Sequence, residues 1–150
     1  MQIIPRSALI LGLAGVIPFV WGAASMLFDP LAAFSTATFG PRFIGPYLQL
    51  SYGVVILSFM SGVLWGFATR ADGGEAAVGY ALSVIPALWG WIMVGGGPTS
   101  ASIHLIAGFV GLLGLDWHFA QRGLAPPWWM ALRVILTGLV VLTLLPIALG

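Results

Sequence analysis

The chain has 150 residues, 60% of them hydrophobic and only 6% charged, with a net charge of +1, no lysine and no cysteine. So few charges cannot cover a water-facing surface, and the near-neutral balance gives no long-range field for nucleic acid. The absence of cysteine excludes disulfides, thiolate catalysis and cysteine metal sites.

Lipid is therefore the expected solvent. A helix needs roughly 20 apolar residues to cross a hydrocarbon core about 30 Å thick. Five such stretches occur in chain order, at about residues 7–27, 46–69, 75–94, 99–119 and 126–149. Because lipid cannot pair backbone groups, each stretch is predicted to be helical. The expected fold class is an all-α integral membrane protein, a single five-span transmembrane domain over residues 1–150.

The first stretch is longer than a signal-peptide core and carries Pro18, which predicts a retained span. Residues 28–45 form the longest connection. Asp29 before Pro30 reads as an N-cap followed by proline at the first helical position, so a short helix at the membrane interface is expected there. The breaker Gly95-Gly96-Gly97-Pro98 precedes Thr99 and Ser100, either of which can cap the fourth helix. Pro126 and Pro127 are expected to open the fifth. Arg6, Arg70 and Arg122 fall on one side of this topology and Arg42 on the other. The positive-inside rule then places the N-terminus inside. Trp65, Trp117, Trp128 and Trp129 would mark the inner interface, and Trp21, Trp89 and Trp91 the outer one.

An internal match links the first and third spans. Val16-Ile17-Pro18-Phe19-Val20-Trp21-Gly22 aligns with Val84-Ile85-Pro86-Ala87-Leu88-Trp89-Gly90. Gly62, Trp65 and Phe67 recur at the spacing of Gly114, Trp117 and Phe119. The spans so matched run in the same direction. The pattern predicts two parallel-repeated helical hairpins plus a fifth helix.

Few residues can carry chemistry. Pro18 and Pro86 each remove a backbone hydrogen bond and kink a span near its middle. Ser58, Ser61, Ser83 and Thr137 lie at similar depth. With the two prolines they would either surround a small midplane cavity or serve as hydrogen-bonding glue between helices. Ser58, Gly62 and Gly66, spaced by four, and Ala107 with Gly111 form small-residue stripes suited to close helix packing within the chain or to self-association. Arg133 is the one charge well inside a span. It is expected to pair with Asp116, which closes the fourth helix at the same end, or to anchor an anionic ligand or lipid head group.

His104 and His118, fourteen residues apart, fall on nearly one face of the fourth helix. That spacing resembles the haem-binding histidines of b-type membrane cytochromes, but no second pair of axial ligands is at hand. There is no Ser-His-Asp order, no histidine–carboxylate metal spacing and no acidic pair within a span. The sequence points away from an enzyme, and implies no catalytic residue, metal or cofactor.

Three blocks carry a family resemblance: Leu11-Gly12-Leu13-Ala14-Gly15-Val16-Ile17-Pro18-Phe19; Tyr52-Gly53-Val54-Val55-Ile56-Leu57-Ser58-Phe59 with Gly62 and Trp65-Gly66; and Pro127-Trp128 with Leu132-Arg133 and Leu136-Thr137. On these the chain resembles the domain of unknown function 3429 family, the transmembrane protein 69-like proteins. Leu64 stands where that pattern calls for histidine. The resemblance implies five spans in a bacterial inner (cytoplasmic) membrane, or the mitochondrial inner membrane of a eukaryote. It implies no activity, substrate or catalytic residue. Three readings follow: an accessory or structural subunit packing with other membrane proteins and lipid, a small-molecule carrier or channel using the kinked midplane, and, most remotely, a haem-binding redox protein.

Overall fold

The computed structural model describes residues 3–150, which are helical throughout apart from short connections. The helices are α1 (Arg6–Ala14), α2 (Ile17–Leu27), α3 (Asp29–Phe39), α4 (Tyr47–Ala68), α5 (Gly73–Ser83), α6 (Ile85–Met93), α7 (Pro98–Gln121) and α8 (Trp129–Ala148). Five helical segments are long and apolar enough to cross a membrane: Arg6–Leu27, Tyr47–Ala68, Gly73–Met93, Pro98–Gln121 and Trp129–Ala148. At 1.5 Å per residue, each reaches about 30 Å or more, the thickness of a hydrocarbon core.

The first and third spans are broken, each at its proline. Proline has no N–H, and its ring clashes with the carbonyl four residues earlier. Accordingly α1 ends at Ala14 and α5 at Ser83, and Pro18 and Pro86 sit in the first turns of α2 and α6. At the second break the backbone N–H of Ala87 donates to Ser61 Oγ on α4 at 2.8 Å. A hydroxyl from a neighbouring span thus satisfies a donor that the break exposes.

α4 packs against α2, α5, α6 and α7, and α7 packs against α4, α6 and α8. α8 closes the ring by returning to α2 and α1. The buried stripes run at three- and four-residue spacing: Gln49, Gly53, Leu57, Ser61, Leu64 and Ala68 on α4; Leu105, Phe109, Leu112, Asp116 and Phe119 on α7. Phe19 from α2 meets Tyr52 and Phe109 edge-on, with ring centroids 5.2 and 5.9 Å apart, and fills the centre.

The two halves share a local pattern. Each contains a proline-broken span whose following glycine packs inward, with Gly22 under Gln49 and Gly90 beside Leu57 and Val54. The whole-bundle correspondence is incomplete, because Gly22 and Gly90 both face α4. α8 packs on both the first and the fourth spans, which touch each other through Phe19 and Phe109.

Alternation of the five spans puts Arg6, Arg70 and Arg122 at one end of the bundle and Arg42 at the other. The α3 end is closed by α3 and a 3-10 turn at Pro41–Phe43. Helix starts differ from the sequence expectations in three places. α3 begins at Asp29 itself, without a side-chain cap. α7 begins at Pro98, before Thr99 and Ser100. α8 begins at Trp129, because residues 126–128 form a turn in which Trp129 N–H donates to Pro126 O.

Candidate functional site

The turn between α7 and α8 builds the most polar part of the interior. Gly123 takes φ +68°, a left-handed conformation that glycine adopts without strain. Its N–H donates to Ala120 O, and that of Leu124 to Phe119 O, which ends α7 sharply. Arg70 Nη1 donates to Leu124 O at 3.0 Å, tying the end of α4 to the same turn. α8 is thereby laid beside α7. Asp116 lies five residues before the end of α7 and Arg133 four after the start of α8, so both sit at the same depth, about 6–8 Å from the helix ends.

The structure brings these two residues together. Arg133 Nε donates to Asp116 Oδ2 at 2.8 Å, and the side chains are 6% and 0% exposed. Trp129 Nε1 donates to Asp116 Oδ1 at 2.9 Å. Each carboxylate oxygen therefore has a donor, as a buried charge requires. Arg133 Nη2 lies 3.5 Å from Thr137 Oγ1, at the limit of a hydrogen bond.

Beside this pair is a cavity of about 240 Å³, bounded by the α1–α2 break, α4, α7 and α8. Arg133 and Thr137 reach it, and the rest of its wall is apolar, including Val16, Phe19, Met60 and Phe109.

The six residues offered for a midplane cavity or for glue between helices do not line one cavity, and of the serines Ser61 joins two spans. Thr137 lines the cavity beside Arg133. Pro18 lines an open hollow of about 440 Å³ with Trp21, Phe39 and Phe43. Pro86 lines a groove of about 250 Å³ between α6 and α7. Ser61 is taken up by Ala87 N–H, and Ser83 Oγ donates to Tyr80 O on its own helix. Ser58 faces outward and donates to Val54 O one turn back. A serine can satisfy itself on its own helix, so depth alone does not draw it to a shared cavity.

The glycines assigned to packing are also corrected. Gly62, Gly66 and Gly111 are exposed, and a Cβ at any of them would meet nothing within 4 Å. The close approaches fall one face away: Gly53 under Leu105, Gly79 against Ala68, and Gly108 under Trp89. Gly62 and Gly111 instead floor shallow grooves on either side of α6. One contains Gly62, Trp65, Ala87 and Leu88, the other Trp89, Gly108 and Gly111.

Three of the tryptophans expected as interfacial markers are tied into the protein. Trp129 donates to Asp116, Trp89 to His104 O at 2.7 Å, and Trp21 to Ser35 Oγ at 3.0 Å. Trp65, Trp91 and Trp117 remain on the surface. His104 Nδ1 lies 2.9 Å from Ser100 O on its own helix, and His118 packs edge-on against Phe119. Among the described residues, no group of three His, Cys, Asp or Glu side chains is placed to hold a metal ion.

Sequence reasoning passed over Gln49, Ser25 and Ser35. Gln49 is fully buried, and its Nε2 donates to Thr143 O on α8 at 2.7 Å. Among the described residues its Oε1 has no hydrogen-bond donor. Ser35 Oγ donates to Phe43 O, and Ser25 Oγ accepts from Gly45 N–H, so the two serines pin the segment that closes the α3 end. The available signal was polarity: a glutamine inside a span has to face protein.

Residues 4–149 match the family described as protein of unknown function (DUF3429), and the chain belongs to that family. Transmembrane protein 69 of Xenopus tropicalis is 36% identical over 146 residues, covering 93% of this chain and 53% of that relative. Transmembrane protein 69 of Mus musculus is 31% identical over 139 residues, covering 89% of this chain and 51% of that relative. The chain thus spans about half the length of these curated relatives. No solved structure matches it.

Proposed function

We propose that this member of the DUF3429 family is a non-catalytic accessory subunit that packs against other membrane proteins. The observation that carries this reading is the pair of grooves flanking α6. Both are apolar, floored by glycine, and left uncovered by the chain's own helices. In lipid, helix association relies on close van der Waals approach rather than on hydrophobic burial, so small residues mark where a partner helix can come near. Two uncovered grooves on one short half-helix suit a transmembrane ridge from another subunit.

The same reading places the protein in a bacterial inner membrane, or the mitochondrial inner membrane of a eukaryote, with the N-terminus inside. The support for that orientation is the gathering of Arg6, Arg70 and Arg122 at one end.

The test is purification in mild detergent. A partner should co-purify at fixed stoichiometry. Gly62→Leu together with Gly111→Leu should release it without lowering the melting temperature of the chain, since a Cβ at either position meets none of the described residues within 4 Å. A chain that purifies alone, or a partner retained by the double variant, would defeat the reading.

A further inference from the structure

Arg133 has more donors than its neighbours can accept. A guanidinium carries five N–H groups in a rigid fork. Here Nε is used by Asp116, and one Nη2 hydrogen points at Thr137 from the distance limit. Among the described residues Nη1 makes no hydrogen bond, although the side chain is only 6% exposed. In a membrane interior, unpaired donors on a charged group are costly. Arg133 lines the 240 Å³ cavity.

The cavity is accessible from the bilayer. Its wall includes Leu11 on α1 and Phe59 on α4, which are 71% and 65% exposed on the outer surface. Gly12 and Gly15, beside the break that ends α1, also line it. An apolar cavity of about 150 Å³ is enough to hold a benzene ring, so this one takes a ring or a short length of acyl chain.

Charge decides which kind of molecule fits. The Asp116 carboxylate already balances the guanidinium, and both of its oxygens are engaged. An added anion would enter a site with no net positive charge, next to a carboxylate. A neutral acceptor satisfies the free N–H groups without that repulsion. We propose that the cavity binds a neutral, largely apolar molecule through a carbonyl oxygen held by the free edge of Arg133. Two sources in a membrane have this chemistry: the ester carbonyl of a glycerolipid and the ring carbonyl of a quinone.

Binding to the full chain in detergent would be measured with four probes. Methyl oleate carries an ester carbonyl, decylubiquinone a ring carbonyl, oleate a charged head on the same tail, and 1-octadecene no acceptor. One or both carbonyl probes should bind at least tenfold more tightly than 1-octadecene and more tightly than oleate. Preference for methyl oleate assigns the site to glycerolipid esters, and preference for decylubiquinone assigns it to quinones.

Arg133→Lys keeps the charge opposite Asp116 but loses the fork, and should weaken binding at least tenfold. Ile56→Trp grows from the half-buried cavity wall into the space and leaves the ion pair intact, so it should do the same with the protein still folded. Should neither carbonyl probe bind, or 1-octadecene bind as well, or oleate bind best, the proposal is wrong. Binding that survives Ile56→Trp would place the ligand elsewhere and overturn it as well.

Discussion

Replacing Arg133 with alanine should be among the most damaging single changes in this protein. It leaves the Asp116 carboxylate fully buried with one neutral donor, Trp129 Nε1. Breaking a buried ion pair from one side costs about 3–5 kcal/mol. Asp116→Ala should be milder. Arg133 lies within about 6 Å of the start of α8, and its long side chain can reach toward the head groups once released, whereas the short Asp116 carboxylate, 0% exposed, has no such exit. The double alanine variant removes both charges and leaves chiefly the orphaned Trp129 N–H, a loss of about 1–3 kcal/mol. At the middle of these ranges the coupling in the double-mutant cycle is about 2 kcal/mol plus the cost of Asp116→Ala, above the about 1.7 kcal/mol that is the upper end for single polar contacts between membrane helices. Reversible unfolding in mixed micelles, followed by tryptophan fluorescence, supplies the four free energies. If the single effects add to within about 0.5 kcal/mol, the two residues are energetically independent and the argument from burial is wrong.

Two more expectations concern packing and orientation. Gly53→Ala drives a Cβ into Leu105, which is fully buried, and should cost about 1–3 kcal/mol as a fall in melting temperature in detergent. Gly62→Ala meets nothing and should be neutral or gain up to about 1 kcal/mol from helix propensity; equal effects at the two sites would contradict the assignment of faces. A reporter fused after Gly150 should be active only outside the cytoplasm, and cytoplasmic activity would reverse the orientation proposed from Arg6, Arg70 and Arg122.

The spans were legible because length and hydropathy alone specify them. Their ends shifted by up to three residues where prolines and glycines left several starts open, as at Pro98 and Pro126. The breaks at Pro18 and Pro86 were legible because a missing N–H acts locally, whatever the helix packs against. The pairing of Asp116 with Arg133 was legible for a related reason. Two opposite charges at equal depth on consecutive helices joined by a short turn have few cheaper arrangements in lipid.

The orientation of each helix about its own axis was much harder to read, and the errors share one cause. In water the apolar stripe of a helix names its buried face, but here every face is apolar. Small residues do not break the tie. Gly53 and Gly62 look alike in sequence, yet one receives Leu105 and the other faces outward. Polar residues break it only when they cannot satisfy themselves. Ser58 bonds to Val54 O on its own helix and can face lipid, so it misled. Gln49, Asp116 and Arg133 carry groups that their own helices do not satisfy, and all three are buried. Within these spans, the number of polar groups a side chain must place off its own helix is a better guide to the interior than either hydropathy or residue size. By that measure Arg133 stands out, because its partners among the described residues take up only part of its donors, and it lines a cavity.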